Sequence, residues 1–161
     1  MPPAELHKII AMDLPEIRNA VFRYLTRRSL VRFMRINKAW HESAAALIWE
    51  SLSLTAMQQM PSVEALRRYA YLVKTLQISS NINDQIVAEC AALNFSKLQK
   101  LRLNLTAGNA THVYDLISRH STLTSLDLSY HGTPWEPFFD DPHLGEAIAS
   151  LPNLNTLHLQ F

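Results

Sequence analysis

Residues 98–105 read LQKLRLNL, with leucines at 98, 101 and 103. This L-x-x-L-x-L spacing recurs along the chain. It appears as Trp49-x-x-Leu52-x-Leu54, Val73-x-x-Leu76-x-Ile78, Leu123-x-x-Leu126-x-Leu128 and Leu154-x-x-Leu157-x-Leu159. The second leucines of successive runs stand 24, 25, 25 and 31 residues apart. Within each run the alternation is that of a strand, with leucines on one face and the intervening residues on the other. Between the runs lie Val63–Leu72, Asp84–Leu93, Thr111–His120 and Leu144–Leu151, whose apolar residues step by three and four. Those steps predict helices. Strand, turn, helix and turn in about 25 residues make one supersecondary unit that cannot bury its own leucines, so its neighbours must do so. The expected class is α/β, with parallel strands lining the concave side and helices outside. Each buried leucine contributes about 1.5–3 kcal/mol, so the ladder is what stabilises residues 51–161.

The residues between the leucines form columns across the strands. One column is Thr75, Lys100, Ser125 and Thr156; the next is Gln77, Arg102, Asp127 and His158; a third is Ser79, Asn104, Ser129 and Gln160. All are polar, with charges of both signs. They form either a solvated sheet face or a surface that holds a protein or peptide; Gln77, Lys100, Arg102, Asp127 and His158 are its candidate contacts. The six extra residues of the last spacing fall between Tyr130 and Pro142, a segment stiffened by Pro134, Pro137 and Pro142. Trp135, Phe138 and Phe139 are costly to leave in water. They either fold back over the helix ends or offer an aromatic anchor. Asn appears at the ninth position of a run only as Asn81, with Thr106 and His131 replacing it elsewhere, so less regular turns are expected there. The last run stops at Phe161 without a polar terminal repeat. Such an edge exposes leucines and backbone groups, which leads us to expect further repeats or a covering partner.

Ahead of the ladder, residues 14–50 read LPEIRNAVFRYLTRRSLVRFMRINKAWHESAAALIWE. Pro15 suits a first helical turn, where its missing N–H is no loss. The apolar residues Ile17, Ala20, Val21, Phe22, Tyr24 and Leu25 spread over about 200° at the helical period. Leu30, Val31, Phe33, Met34 and Ile36 spread over about 220°. A helix packed on one core needs a stripe of little more than ~100°. The excess must meet another part of the chain or another protein. Thr26 or Ser29 can cap the second helix, and a third runs from Ala39 towards Leu47. Residues 1–13 are a lead-in in which Ala4–Met12 can form a helical turn or two.

The block resembles the F-box. The resemblance rests on Leu14-Pro15, Glu16-Ile17, Val21-Phe22-Arg23-Tyr24-Leu25, Leu30-Val31-Arg32, Lys38-Ala39-Trp40 and Ile48-Trp49, followed by Leu52-Ser53-Leu54. It covers about forty residues. Pro15 adjoins Glu16 directly where the family has a residue between, and Ser29 and Asn37 stand where Asp and Cys are commoner. The period of the leucine runs is similar to that of leucine-rich repeats, ~20–29 residues, which are common behind F-boxes. The resemblance implies a three-helix F-box at 14–50 and a short leucine-rich-repeat solenoid of four to five repeats at 51–161. It also implies docking on a Skp-type adaptor, and through it on a cullin ligase, with the repeats holding a target protein for ubiquitination. On that reading Leu14, Pro15, Ile17, Val21, Leu25, Leu30 and Val31 are the adaptor-binding residues.

The totals narrow the alternatives. Hydrophobic residues make up 48% and charged residues 18%, which describes a globular chain. The net charge of +1 is uneven: residues 1–50 carry eight Lys/Arg against five Asp/Glu, and residues 51–161 carry seven against nine. Seven bases and no acid lie between Ile17 and His41. A basic helix pair raises nucleic-acid binding as a lesser reading, beside a solvated rim and an acidic partner. One cysteine allows no internal disulfide, and Cys90 reads as a small core residue. No run approaches the ~18 apolar residues of a membrane span, and the start is too short and charged for a signal peptide. The expected location is cytoplasmic or nuclear. No metal-ligand motif, nucleophile elbow or phosphate loop is present, and no cofactor is expected. His112, Asp115 and His120 are poorly spaced for a ligand trio. Asp127 and His158, with Ser125 or Ser129, lack a legible oxyanion hole. The chain reads as a non-catalytic subunit; the rival is a leucine-rich scaffold with no ligase role.

Overall fold

The computed structural model describes residues 14–55, 60–79, 82–105, 110–130 and 142–160. The expectations for the lead-in 1–13, for Trp135, Phe138 and Phe139, and for turn positions Asn81, Thr106 and His131 lie outside them. The fold is mixed α/β and divides into two compact units between Ile48 and Trp49.

In the first unit, α1 spans Pro15–Phe22, α2 Arg27–Phe33 and α3 Lys38–Trp49, the last residue of which belongs to the second unit. Pro15 sits in the first turn of α1. Thr26 caps α2 by accepting the Ser29 N–H on its hydroxyl at 3.3 Å, and Asn37 Oδ1 accepts the Trp40 N–H at the start of α3 at 2.9 Å. Both satisfy donors that a helix start leaves open. One aromatic from each helix makes the core. Phe22 stacks on Phe33 with centroids 5.3 Å apart and meets Trp40 edge-on at 5.5 Å. Phe33 and Trp40 close the triangle at 5.2 Å. Arg18, one turn before Phe22, is buried too, and its Nε donates to Ser43 Oγ on α3 at 2.9 Å.

The second unit alternates strand and helix: β1 Ser51–Leu54, α4 Val63–Tyr69 with a 3-10 turn over Ala70–Leu72, β2 Thr75–Ile78, α5 Asp84–Ala92, β3 Lys100–Leu105, α6 Ala110–Ser118, β4 Ser125–Tyr130, α7 Pro142–Ala149 and β5 Thr156–Gln160. The five strands form one parallel sheet in chain order. Consecutive order follows from the short period, because each helix returns the chain only one strand along. The register aligns Leu52, Leu76, Leu101, Leu126 and Leu157, and likewise Leu54, Ile78, Leu103, Leu128 and Leu159. From β1 to β4 these side chains are buried. Leu66, Val87, Cys90, Val113, Leu116 and Ile117 bring the helices' apolar sides into the same core. On β5, Leu157 and Leu159 are 43 and 41% exposed.

A backbone ladder locks the strand starts in step. The carbonyl of Glu50 accepts the N–H groups of Lys74 and Thr75. Lys74 does the same for Gln99 and Lys100, Gln99 for Thr124 and Ser125, and Thr124 for Asn155 and Thr156. A residue one to three positions after each of α4 to α7 is buried as well: Ala70, Phe95, His120 and Leu151. Each of these carbonyls accepts the N–H three residues on. His120 is the polar member of this column, and hydrogen bonds make its burial tolerable. Its Nε2 accepts the Phe95 N–H at 3.2 Å, and its Nδ1 lies 2.6 Å from the Leu116 carbonyl. An accepting Nε2 requires the neutral ring with the proton on Nδ1. Burial holds the His120 pKa below its usual value and Arg119 adds to this, while the Leu116 and Leu93 carbonyls pull the other way.

Candidate functional site

Two surfaces, one on each unit, carry the candidate residues. On the first, the 3.6-residue period splits the wide apolar arc of α1 into two rows. Arg18 and Phe22 turn inward. Leu14, Ile17 and Val21 form the neighbouring row and remain 40–45% exposed, as does Val31 on α2. Pro15 is exposed, Leu25 half-buried, and Leu30 only 6% exposed. Leu30 therefore contributes to the unit's interior and little to its outer surface. Two further apolar residues face solvent: Tyr24, 90% exposed just after α1, and Ile36, 53% exposed just after α2. Both belong to the arcs legible in the sequence. Their inclusion in the surface could have been read from the over-wide arc, but not which edge of it would face out. Arg23, Arg27, Arg28, Arg32, Arg35 and Lys38 are exposed on the same unit, and Lys38 lies 4.0 Å from Glu42.

The second surface is the polar face of the sheet. Register places Ser51, Thr75, Lys100, Ser125 and Thr156 in one row, and Ser53, Gln77, Arg102, Asp127 and His158 in the next. Gln77, Lys100, Arg102, Asp127 and His158 all line one groove of about 230 Å³. Arg102 Nε donates to Asp127 Oδ2 across the β3–β4 pair at 2.8 Å. In the third row the Ser129 hydroxyl donates to Asn104 Oδ1 at 2.7 Å. These bonds occupy the acid and one serine of the trio weighed above. Asp127 faces Arg102, Ser129 faces Asn104, and no hydrogen bond joins His158 to Asp127 or to a described serine.

The remaining reactive side chains serve packing. Cys90 is fully buried on α5, where desolvation and the Glu89 charge push its thiol up to about 12. A thiol so placed carries almost no thiolate at neutral pH. His120 is committed to the two bonds already described. Among the described residues no group of three His, Cys, Asp or Glu side chains is placed to hold a metal ion. None of the described helices is long and apolar enough to cross a membrane. No protein-family model matches the chain, and no curated protein matches it either.

Proposed function

We propose that this chain is a substrate receptor of the F-box type. Residues 14–50 dock on a Skp-type adaptor, and the ladder unit, as a leucine-rich-repeat solenoid, holds a target protein on its polar sheet face. A ubiquitin-conjugating enzyme recruited by the ligase carries out the transfer. The receptor's part is proximity, which raises the effective concentration of a target lysine. The observation that carries this reading is the row Leu14, Ile17 and Val21, exposed beside a closed aromatic core. A partner's apolar groove removes such a row from water at ~25 cal/mol per Å², the helix-in-groove mode of recognition. Capture of the purified chain by an immobilised Skp-type adaptor tests it. The wild type is expected to be retained, and Ile17→Asp combined with Val21→Asp is expected to reduce retention at least tenfold with the fold intact. Equal retention of both chains, or of neither, overturns the docking reading.

The exposed Arg27, Arg28 and Arg32 of α2, with Arg23 and Arg35 flanking it, favour a second reading, nucleic-acid binding by the first unit. It predicts retention on DNA or RNA that weakens steeply with salt and disappears when Arg27, Arg28 and Arg32 are changed together to Glu.

A further inference from the structure

The polar sheet face is not uniform along its length. Its cations gather at the central strand: Lys97 just before β3, and Lys100 and Arg102 on β3 itself. Lys74, just before β2, is bound to Glu50 at 2.8 Å, and Arg102 to Asp127 at the same distance. Lys97 and Lys100 are exposed and form no ion pair with a described residue. Across β4 and β5 the same rows hold Ser125, Asp127, Thr156 and His158, with Asp127 already paired to Arg102, and the turns before those strands hold Thr124, Asn153 and Asn155.

A second groove, of about 530 Å³, runs past the strand starts, and Lys74 and Lys97 line it. It takes Lys74, Gln99, Thr124 and Asn155, while the sheet-face groove takes the very next residue of each strand, Thr75, Lys100, Ser125 and Thr156. The backbone beneath is already occupied. The carbonyls of Lys74, Gln99 and Thr124 each accept two N–H groups, so recognition here falls to side chains. Four strands are about 14 Å across at ~4.8 Å per step, the reach of four or five extended residues at ~3.3 Å each.

We propose that these adjoining grooves bind an extended protein segment that bears carboxylates. Its acidic end lies over Lys97 and Lys100, and its uncharged polar end lies over Thr156 and His158. For that acidic end Lys100 supplies the unpaired charge on the sheet face, and Lys97 supplies a second beside the strand start. The Arg102–Asp127 pair holds the neighbouring cation in a fixed pose, so a ligand carboxylate meets Arg102 without having to order it. This inference rests on the target-binding reading in taking the ligand to be a protein. It does not depend on adaptor docking.

The test is selection from a random heptapeptide display library on the full chain, followed by fluorescence anisotropy of individual selected peptides. Selected peptides are expected to be enriched in Asp and Glu towards one end. Lys100→Glu is expected to weaken them at least tenfold, Lys97→Glu several-fold, and Arg35→Glu on the first unit not at all. Lys100→Gln, which leaves no repulsive charge, is expected to fall between wild type and Lys100→Glu. Circular dichroism melts confirm that each variant is folded. Selection of nothing, or of peptides without acidic enrichment, overturns the proposal. So does an equal loss with Arg35→Glu, which marks unspecific charge attraction. Displacement of the peptide by a single-stranded oligonucleotide from wild type but not from Lys100→Glu overturns it in favour of nucleic acid. Adaptor capture of Lys100→Glu, measured alongside, is expected to match wild type. If the peptide arm fails while capture persists, the groove chemistry falls and the docking reading stands.

Discussion

Phe22 and Leu126 are both fully shielded from solvent, yet the residues beside them are treated differently. One step from Phe22 stands Val21, apolar and exposed; one step from Leu126 stand Ser125 and Asp127, polar and on the open face of the sheet. On a helix one step turns about 100°, and on a strand about 180°. From β1 to β4 the strands pair each outward step with a polar residue, so pattern and burial agree there, Ser129 apart. The helices of the first unit carry apolar residues past the edge of what three aromatics can cover. A sequence that is locally consistent in one half and inconsistent in the other points to function in the inconsistent half. Here that half holds the surface we propose for adaptor docking.

The comparison is most easily broken at the two cores. Phe22→Ala removes the ring that both Phe33 and Trp40 touch and is expected to destabilise the first unit by about 3–5 kcal/mol. Ile17→Ala on the exposed row is expected to change stability by no more than ~0.5 kcal/mol. Urea unfolding followed by tryptophan fluorescence and circular dichroism separates the two. Similar losses would mean that the row is part of the core. Within the ladder, Leu126→Ala is expected to cost about 2–5 kcal/mol. Leu157→Ala, at the same register position on β5, is expected to cost less than ~1 kcal/mol, because much of that side chain is already in water. Equal costs would show that β5 is covered in solution.

A smaller effect tests the buried column. His120 is held neutral in the fold and has an ordinary value of 6.5 when unfolded. The unfolded chain therefore takes up the proton first as the pH falls. The contribution of the neutral ring is complete above about 6.5 and is lost as the pH drops from there towards the lower folded value. His120→Leu, which copies Leu151 in the next segment, is expected to flatten this dependence between pH 7.5 and 5.5 in paired urea titrations. An unchanged slope would assign it to other groups. Another small effect belongs to the surface. Breaking the Arg102–Asp127 pair with Asp127→Asn is expected to cost less than ~1 kcal/mol, since both side chains are partly in water. A loss of several kcal/mol would make that pair structural and remove its role in a binding groove.

Much of the second unit was legible beforehand. Apolar steps of three and four placed four helices within a few residues of α4 to α7, and the repeated leucine spacing placed Lys100 beside Ser125 and Arg102 beside Asp127 in the register. The strand period alone does this, because equal spacings stack equal positions. Ser51 and Ser53 join the same rows through β1, an extension that Leu52-Ser53-Leu54 already implied. Less could be read of the first unit. The arcs of α1 and α2 announced an excess of apolar surface, but Leu30 turned inward while Tyr24 and Ile36 turned outward. The role of His120 was equally hidden, since its partners, the Phe95 N–H and the Leu116 carbonyl, are backbone groups that any sequence supplies.

By itself, then, the order of residues settled the periods: a 3.6-residue rhythm in front, an alternating rhythm repeated about every 25 residues behind, and hence which side chains share a face. The tertiary structure decided which of those faces has something packed against it. A period fixes the angle between neighbours, whereas burial depends on what lies opposite, and the residues that supply that cover are distant in sequence. Leu126 and Leu157 obey one pattern, but Leu126 has strands on both sides and Leu157 sits on the edge strand.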